Sequence, residues 1–181
     1  LSVITCVHTA GPDRILGMAS HATISSDQSD LIDWKQAMQL STEHAHVVGQ
    51  APFIEAQTML TNGQRVNGAL LKGILPEYEG RVSDVGEHML AGSLDALRAG
   101  DFNIVLGREL ALLLGVTVGD KVTVVTPQIR VTPAGAMPRL KRFNVIGIFE
   151  VGMGEYDRGV ARIHMQDAAN LLRRVESVRR A

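Results

Sequence analysis

Residues 121–149 read KVTVVTPQIRVTPAGAMPRLKRFNVIGIF. Two strand-like runs, residues 121–126 and 143–149, bracket a proline-containing middle, so the stretch reads as a hairpin. Five basic residues fall in it, Lys121, Arg130, Arg139, Lys141 and Arg142, with no Asp or Glu between them. The 181-residue chain has a net charge of -1, so this positive charge is local. Three of the six prolines, Pro127, Pro133 and Pro138, lie in the same stretch. Proline restricts the unfolded chain and so lowers the entropy cost of holding one loop shape. The reading is a projecting, stiffened arm with a cationic surface.

An edge hairpin whose charges only discourage edge-to-edge pairing would explain Lys141 and Arg142. It explains less well the three prolines, Gly135 and the apolar Met137 around a tip. An apolar residue ringed by cations suits docking to an acidic partner, where charge steers the encounter and the apolar group anchors it.

Working outward, residues 54–60 alternate apolar and polar with period two. Asn62-Gly63 follows, a dipeptide that accepts positive φ at both centres of a type I′ turn, and residues 65–74 read as the return strand. Residues 103–106 read as a buried strand and 108–114 as a short helix, with Gly115 where a terminating glycine belongs. Val118-Gly119-Asp120 turns the chain into the strand at Lys121. Residues 152–159 read as a loop, 160–164 as a strand and 166–174 as a helix with Asp167 in its first turn. Residues 76–100 read as loop with a helical turn or two. Towards the start, residues 1–14 show no clear period, 21–24 suit a short strand, and Ser29 or Asp30 can cap a helix ending near His44. The order is α+β with a strand-rich middle.

Composition excludes several classes. No apolar run approaches the ~20 residues of a membrane-spanning helix. Aromatic residues make up 4% of the chain, which argues against stacking on single-stranded nucleic acid, and no helix–turn–helix pattern is present. The single cysteine, Cys6, cannot form an internal disulfide. Of six histidines only His44 and His46 are close in sequence, and no Cys or carboxylate cluster completes a metal set. There is no Gly-x-Ser-x-Gly elbow, no dinucleotide fingerprint and no phosphate-binding loop. The sequence calls for no catalytic residue, metal or cofactor. Its opening Leu-Ser-Val and closing Arg-Arg-Ala suggest a stretch taken from a longer protein.

Several ordered motifs carry a resemblance. These are Gly107-Arg-Glu-Leu-Ala111, Leu114-Gly115, Gly119-Asp120-Lys-Val, Thr132-Pro-Ala-Gly135, Met137-Pro-Arg139 and Phe143-Asn-Val-Ile-Gly-Ile-Phe149. Gly73-Ile-Leu-Pro76, Gly92-Ser-Leu94, Tyr156-Asp157 and Asp167-Ala168 extend it. Together they resemble the lipoprotein-releasing ABC permeases, the LolC/LolE family, over residues 15–174, and the Thr-Pro-x-Gly tip resembles its LolC-type members.

The resemblance implies a MacB-like periplasmic domain between the first two membrane spans. It would comprise a split α+β porter subdomain, here partial and over residues 1–75, and a strand-rich Sabre subdomain over residues 76–181. A projecting hairpin, the Hook, would be residues 128–142. The resemblance further implies a separate ATPase subunit, LolD, a second permease subunit, lipoprotein cargo, and hand-off to the periplasmic carrier LolA on the periplasmic side of the bacterial inner membrane. Thr132, Pro133, Gly135, Met137, Pro138 and Arg139 match the Hook tip, and Arg130, Lys141 and Arg142 lie on its arms. Two departures stand out: family members follow Leu-Ser-Val with Met-Asn-Gly-Phe, unlike residues 4–12 here, and the second porter half would lie beyond the helix ending near Arg174. The competing readings are a MacB-like exporter domain with other periplasmic partners, and an enzyme on a small β-rich scaffold. The latter requires polar residues converging in a pocket.

Overall fold

A computed structural model describes residues 2–7, 22–24, 34–42, 47–132 and 135–172. The strands are β1 (Ser2–Val7), β2 (Ala22–Ile24), β3 (Val47–Asn62), β4 (Arg65–Ile74), β5 (Met89–Ala91), β6 (Asn103–Gly107), β7 (Lys121–Thr132), β8 (Gly135–Phe149) and β9 (Val160–His164). The helices are α1 (Trp34–Thr42), α2 (Pro76–Glu79), α3 (Arg108–Leu114), α4 (Gly154–Gly159) and α5 (Met165–Leu172). The fold is mixed α+β, and its centre is a closed barrel.

Closure follows from pairing. Strand β3 pairs with β4, β4 with β9, β9 with β6, β6 with β8, β8 with β7, and β7 returns to β3. Six strands therefore close into a ring. The β4–β9 and β6–β8 pairs are parallel and the others antiparallel. Inside lie Leu60, Leu71, Leu106, Val124, Phe143 and Ile163, joined by Leu110 and Leu114 from α3 and by Ala168 and Leu171 from α5. Gly73 packs so closely on α5 that a β-carbon there would overlap Ala168 and crowd Met165.

A second apolar layer covers the outside of the β4–β9–β6–β8 wall. Ile74, Val105, Phe149 and Val160 face outward from it and meet Val85, Leu94 and Leu97 of the segment after β4. That segment holds α2, 3-10 turns at Asp84–His88 and Leu94–Ala96, and the short strand β5. The sequence suggested only loop and helical turns here. Strand β5 forms because Met89 and Ala91 find the edge of β8.

The β3–β4 hairpin forms as the alternation predicts, but its turn differs. Asn62 pairs with Arg65, so Gly63 and Gln64 are the central residues. Gly63 has φ 61° and Gln64 is not in the positive region, which is the φ pattern of a II′ turn with glycine first. Asn62 instead sends its side-chain amide to the Leu114 carbonyl, 3.1 Å away. Gly115 ends α3 at φ 63°. The Val116 and Gly115 amides reach back to Ala111 and Leu112 at 3.0 and 3.1 Å, the paired bonds of a Schellman ending.

Two further expectations are corrected. Residues 154–159, read as loop, form α4. The Asp157 carboxylate accepts from the Val151 and Gly152 amides at 3.0 and 3.1 Å and curls the segment into a turn. Residues 2–7, read as aperiodic, form β1, because Ser-Val-Ile-Thr-Cys-Val pairs on one side with β2 and on the other with residues 47–53 of β3. The strand expected at 21–24 is β2. The helix expected before His44 is α1, and its suggested caps Ser29 and Asp30 lie outside the described residues.

Candidate docking arm

Strands β7 and β8 pair from Lys121 opposite Asn144 to Thr132 opposite Gly135, with a slip of register between Thr126 and Ile129. Strand β3 meets β7 only at residues 123–125, and β6 and β5 meet β8 only from Asn144 onward. Residues 126–132 and 135–143 therefore pair only with each other among the described residues. At about 3.3 Å per residue, this two-stranded ribbon reaches about 20 Å past the last β3 pairing. A lone hairpin is marginal in water, so its direction depends on its root.

The root is well tied. The Thr117 amide and hydroxyl both donate to an Asp120 carboxylate oxygen, at 2.8 and 3.1 Å. The Gly119 amide donates to the Val145 carbonyl and the Val145 amide to the Asp120 carbonyl, each at 2.8 Å. Gly119 has φ 99°, which a β-carbon would strain. The turn that launches β7 is thus fastened to β8.

Register divides the arm's cations between two faces. Lys141 lies opposite Val124 and Arg139 opposite Thr126, both buried positions, so these two basic residues continue the barrel's inward face. Arg142 lies opposite Thr123, which lies opposite Thr61, and points outward with them. Lys121 also faces outward, opposite Asn144. Pro138, Leu140, Lys141 and Arg142 are exposed and Arg139 is half-buried. Arg130, Thr132, Gly135 and Met137 are placed by backbone pairing within the ribbon, and Pro133 lies outside the described residues.

One feature of the root escaped the sequence reading. Met59, Val125 and Leu140 stand side by side across β3, β7 and β8. Met59 is 51% and Leu140 64% exposed. They make an apolar row on the outer wall, one register step from Arg142. Each member looks like an ordinary surface residue in its own strand. Outward parity in all three strands is the signal that unites them, and it needs the pairing register.

Elsewhere, no group of three or more His, Cys, Asp or Glu side chains could hold a metal among the described residues. Among them too, no helix is long and apolar enough to cross a membrane.

No protein-family model matches the chain. It is 46% identical over 161 residues to the lipoprotein-releasing system transmembrane protein LolC of Xylella fastidiosa strain 9a5c, covering 89% of this chain and 39% of that protein. It is 39% identical over 160 residues to LolC of Neisseria meningitidis serogroup B, covering 88% of this chain and 39% of that protein. LolE of Haemophilus influenzae is 24% identical over 163 residues, with 88% and 39% covered. The chain thus spans about two-fifths of the length of these relatives. LolC is the transmembrane permease of such a system and not its ATPase. Over about nine-tenths of its length the chain is thus homologous to LolC and corresponds to a domain-length part of it.

Proposed function

We propose that this chain is the periplasmic domain of a lipoprotein-releasing ABC permease at the inner membrane, and that its β7–β8 ribbon recruits the carrier LolA to receive lipoprotein cargo. LolD would supply ATP hydrolysis and a second permease subunit would complete the complex. In this reading the ribbon is the Hook and the barrel is the Sabre part. The β1–β2–α1 layer belongs to the porter part, which shares strand β3 with the barrel. A division at residue 75 separates strands that hydrogen-bond to one another, β4 with β9 and β3 with β7, so the two parts would be mechanically joined through one sheet.

The observation that carries the reading is the pairing of the ribbon with itself alone, among the described residues, in the acid-free stretch that holds five basic residues. A core has no use for such a ribbon and a partner does. Arg130, Thr132, Pro133, Gly135, Met137, Pro138 and Arg139 would make the distal contact. Arg142 and the Met59–Val125–Leu140 row would extend it onto the root.

Titration of the chain with purified LolA from the same source, at low and moderate salt, tests this. Saturable binding that weakens with salt and is lost in a folded Met137→Asp/Arg139→Glu double variant is expected. Absence of binding by the folded parent chain would reject carrier recruitment and favour a MacB-like domain with other partners.

A further inference from the structure

Phe102 has φ 52°, the only positive value at a non-glycine among the described residues. A bulky side chain avoids that region because its β-carbon crowds the backbone, so its surroundings must hold it there. Three hydrogen bonds do so. The Asn144 amide donates to the Phe102 carbonyl at 2.9 Å, the Asn144 side-chain amide donates to the Asp101 carbonyl at 3.4 Å, and the Gly100 amide donates to Asp167 Oδ1 at 2.8 Å. The turn is thereby fastened to β8 on one side and to α5 on the other.

The outcome is a ring at the foot of the ribbon. Phe102 meets Phe143 edge-on, with centroids 5.8 Å apart. Lys141 Nζ lies 3.7 Å from the Phe102 ring centroid. An ammonium at that distance over an aromatic face is attracted by the ring quadrupole. Lys141 is on the ribbon's inner face, where β8 has already parted from every strand but β7.

We propose that Phe102 is a positioning residue for the arm: its left-handed backbone sets the ring beneath Lys141, and the ammonium–ring contact braces the ribbon root. Lys141 is then a strut and not one of the charges offered to the carrier. The purpose of the brace rests on the docking reading above, but its existence does not.

The test uses the whole chain with Lys141→Gln, Lys141→Arg and Phe102→Gly. Glycine suits φ 52° without strain, so Phe102→Gly removes the ring and leaves the turn. Amide hydrogen exchange of residues 126–143 is read first, without carrier. Lys141→Gln should speed it by about two- to thirtyfold, the span of a cation–π contact. Lys141→Arg should restore it, and the Lys141→Gln/Phe102→Gly pair should add little to either single change. Carrier affinity is then read against salt. Lys141→Gln should weaken binding with the parent's salt slope, whereas Arg142→Gln should flatten the slope. Unchanged ribbon exchange in both Lys141→Gln and Phe102→Gly would overturn the brace, as would a flattened salt slope in Lys141→Gln. A parent chain that does not bind LolA would overturn the docking reading instead, with the exchange comparison still deciding the brace.

Discussion

Glu79 and Arg162 form an ion pair sealed from solvent, with side chains 3% and 0% exposed. Arg162 sits in the wall strand β9, and Glu79 ends α2, which lies over that wall. Arg162 also donates to the Tyr156 hydroxyl at 2.8 Å and to Ser83 Oγ at 3.3 Å. Burial acts to lower its pKa, but Glu79 and Tyr156 outweigh burial and raise it. The pair pins the outer layer to the barrel at one point.

Removing one partner of such a pair leaves a buried charge uncompensated, at a cost of about 3–5 kcal/mol. Glu79→Gln should lower unfolding free energy by an amount in that range, measured by urea titration. The Glu79→Leu/Arg162→Met pair should cost clearly less than Glu79→Gln. Equal losses would mean that the contact does not pair the two charges as described.

Lys72 stands opposite Arg162 across the parallel β4–β9 pair. Burial lowers its pKa below 10.5, opposed by Glu79, reinforced by Arg162 and opposed again by Glu55. In the window just below 10.5 the unfolded chain keeps this proton while the folded chain has begun to release it. Stability therefore gains a contribution that rises with pH through that window. Lys72→Met should remove this rise without loss of stability at neutral pH, as followed by thermal melts from pH 7 to 10. A steeper rise in the variant would contradict the assignment.

Gly115 at φ 63° lies against the Arg65 guanidinium. Alanine there should cost about 1–2 kcal/mol from the left-handed backbone alone, read as a drop in midpoint denaturant concentration. A neutral substitution would show that the helix end relaxes out of the Schellman geometry.

Much of this fold was legible locally. Alternation at residues 54–60, the β6–α3 succession and the Gly115 stop are each written within a dozen residues, where propensity and capping decide the outcome. Asn62-Gly63 announced a turn but not its type, because the register of Asn62 opposite Arg65 moved glycine to the first centre. Helix α4 was hidden, since the force that makes it is the Asp157 carboxylate reaching Val151 and Gly152. Barrel closure and the Glu79–Arg162 pair depend on contacts distant in sequence and have no local signal. The arm was visible as charge and proline, but the division of its cations between two faces required the pairing with buried Val124 and Thr126.

The outer row of Met59, Val125 and Leu140 offers a separable test. Exposed substitutions away from caps and cores change stability by about 0.5 kcal/mol or less. Met59→Asp and Leu140→Asp should therefore leave the thermal midpoint nearly unchanged while weakening LolA binding several-fold. Full affinity in both would confine docking to the distal ribbon.

The most direct measurement places a photo-crosslinking residue at position 137 of the intact permease and illuminates it in the presence of LolA, with the exposed position 112 of α3 as reference. A LolA adduct from 137 and none from 112 is expected, with the 137 adduct abolished by Arg139→Glu. LolA adducts of equal yield from both positions, or none from 137 in a transport-competent complex, would contradict carrier recruitment by the ribbon.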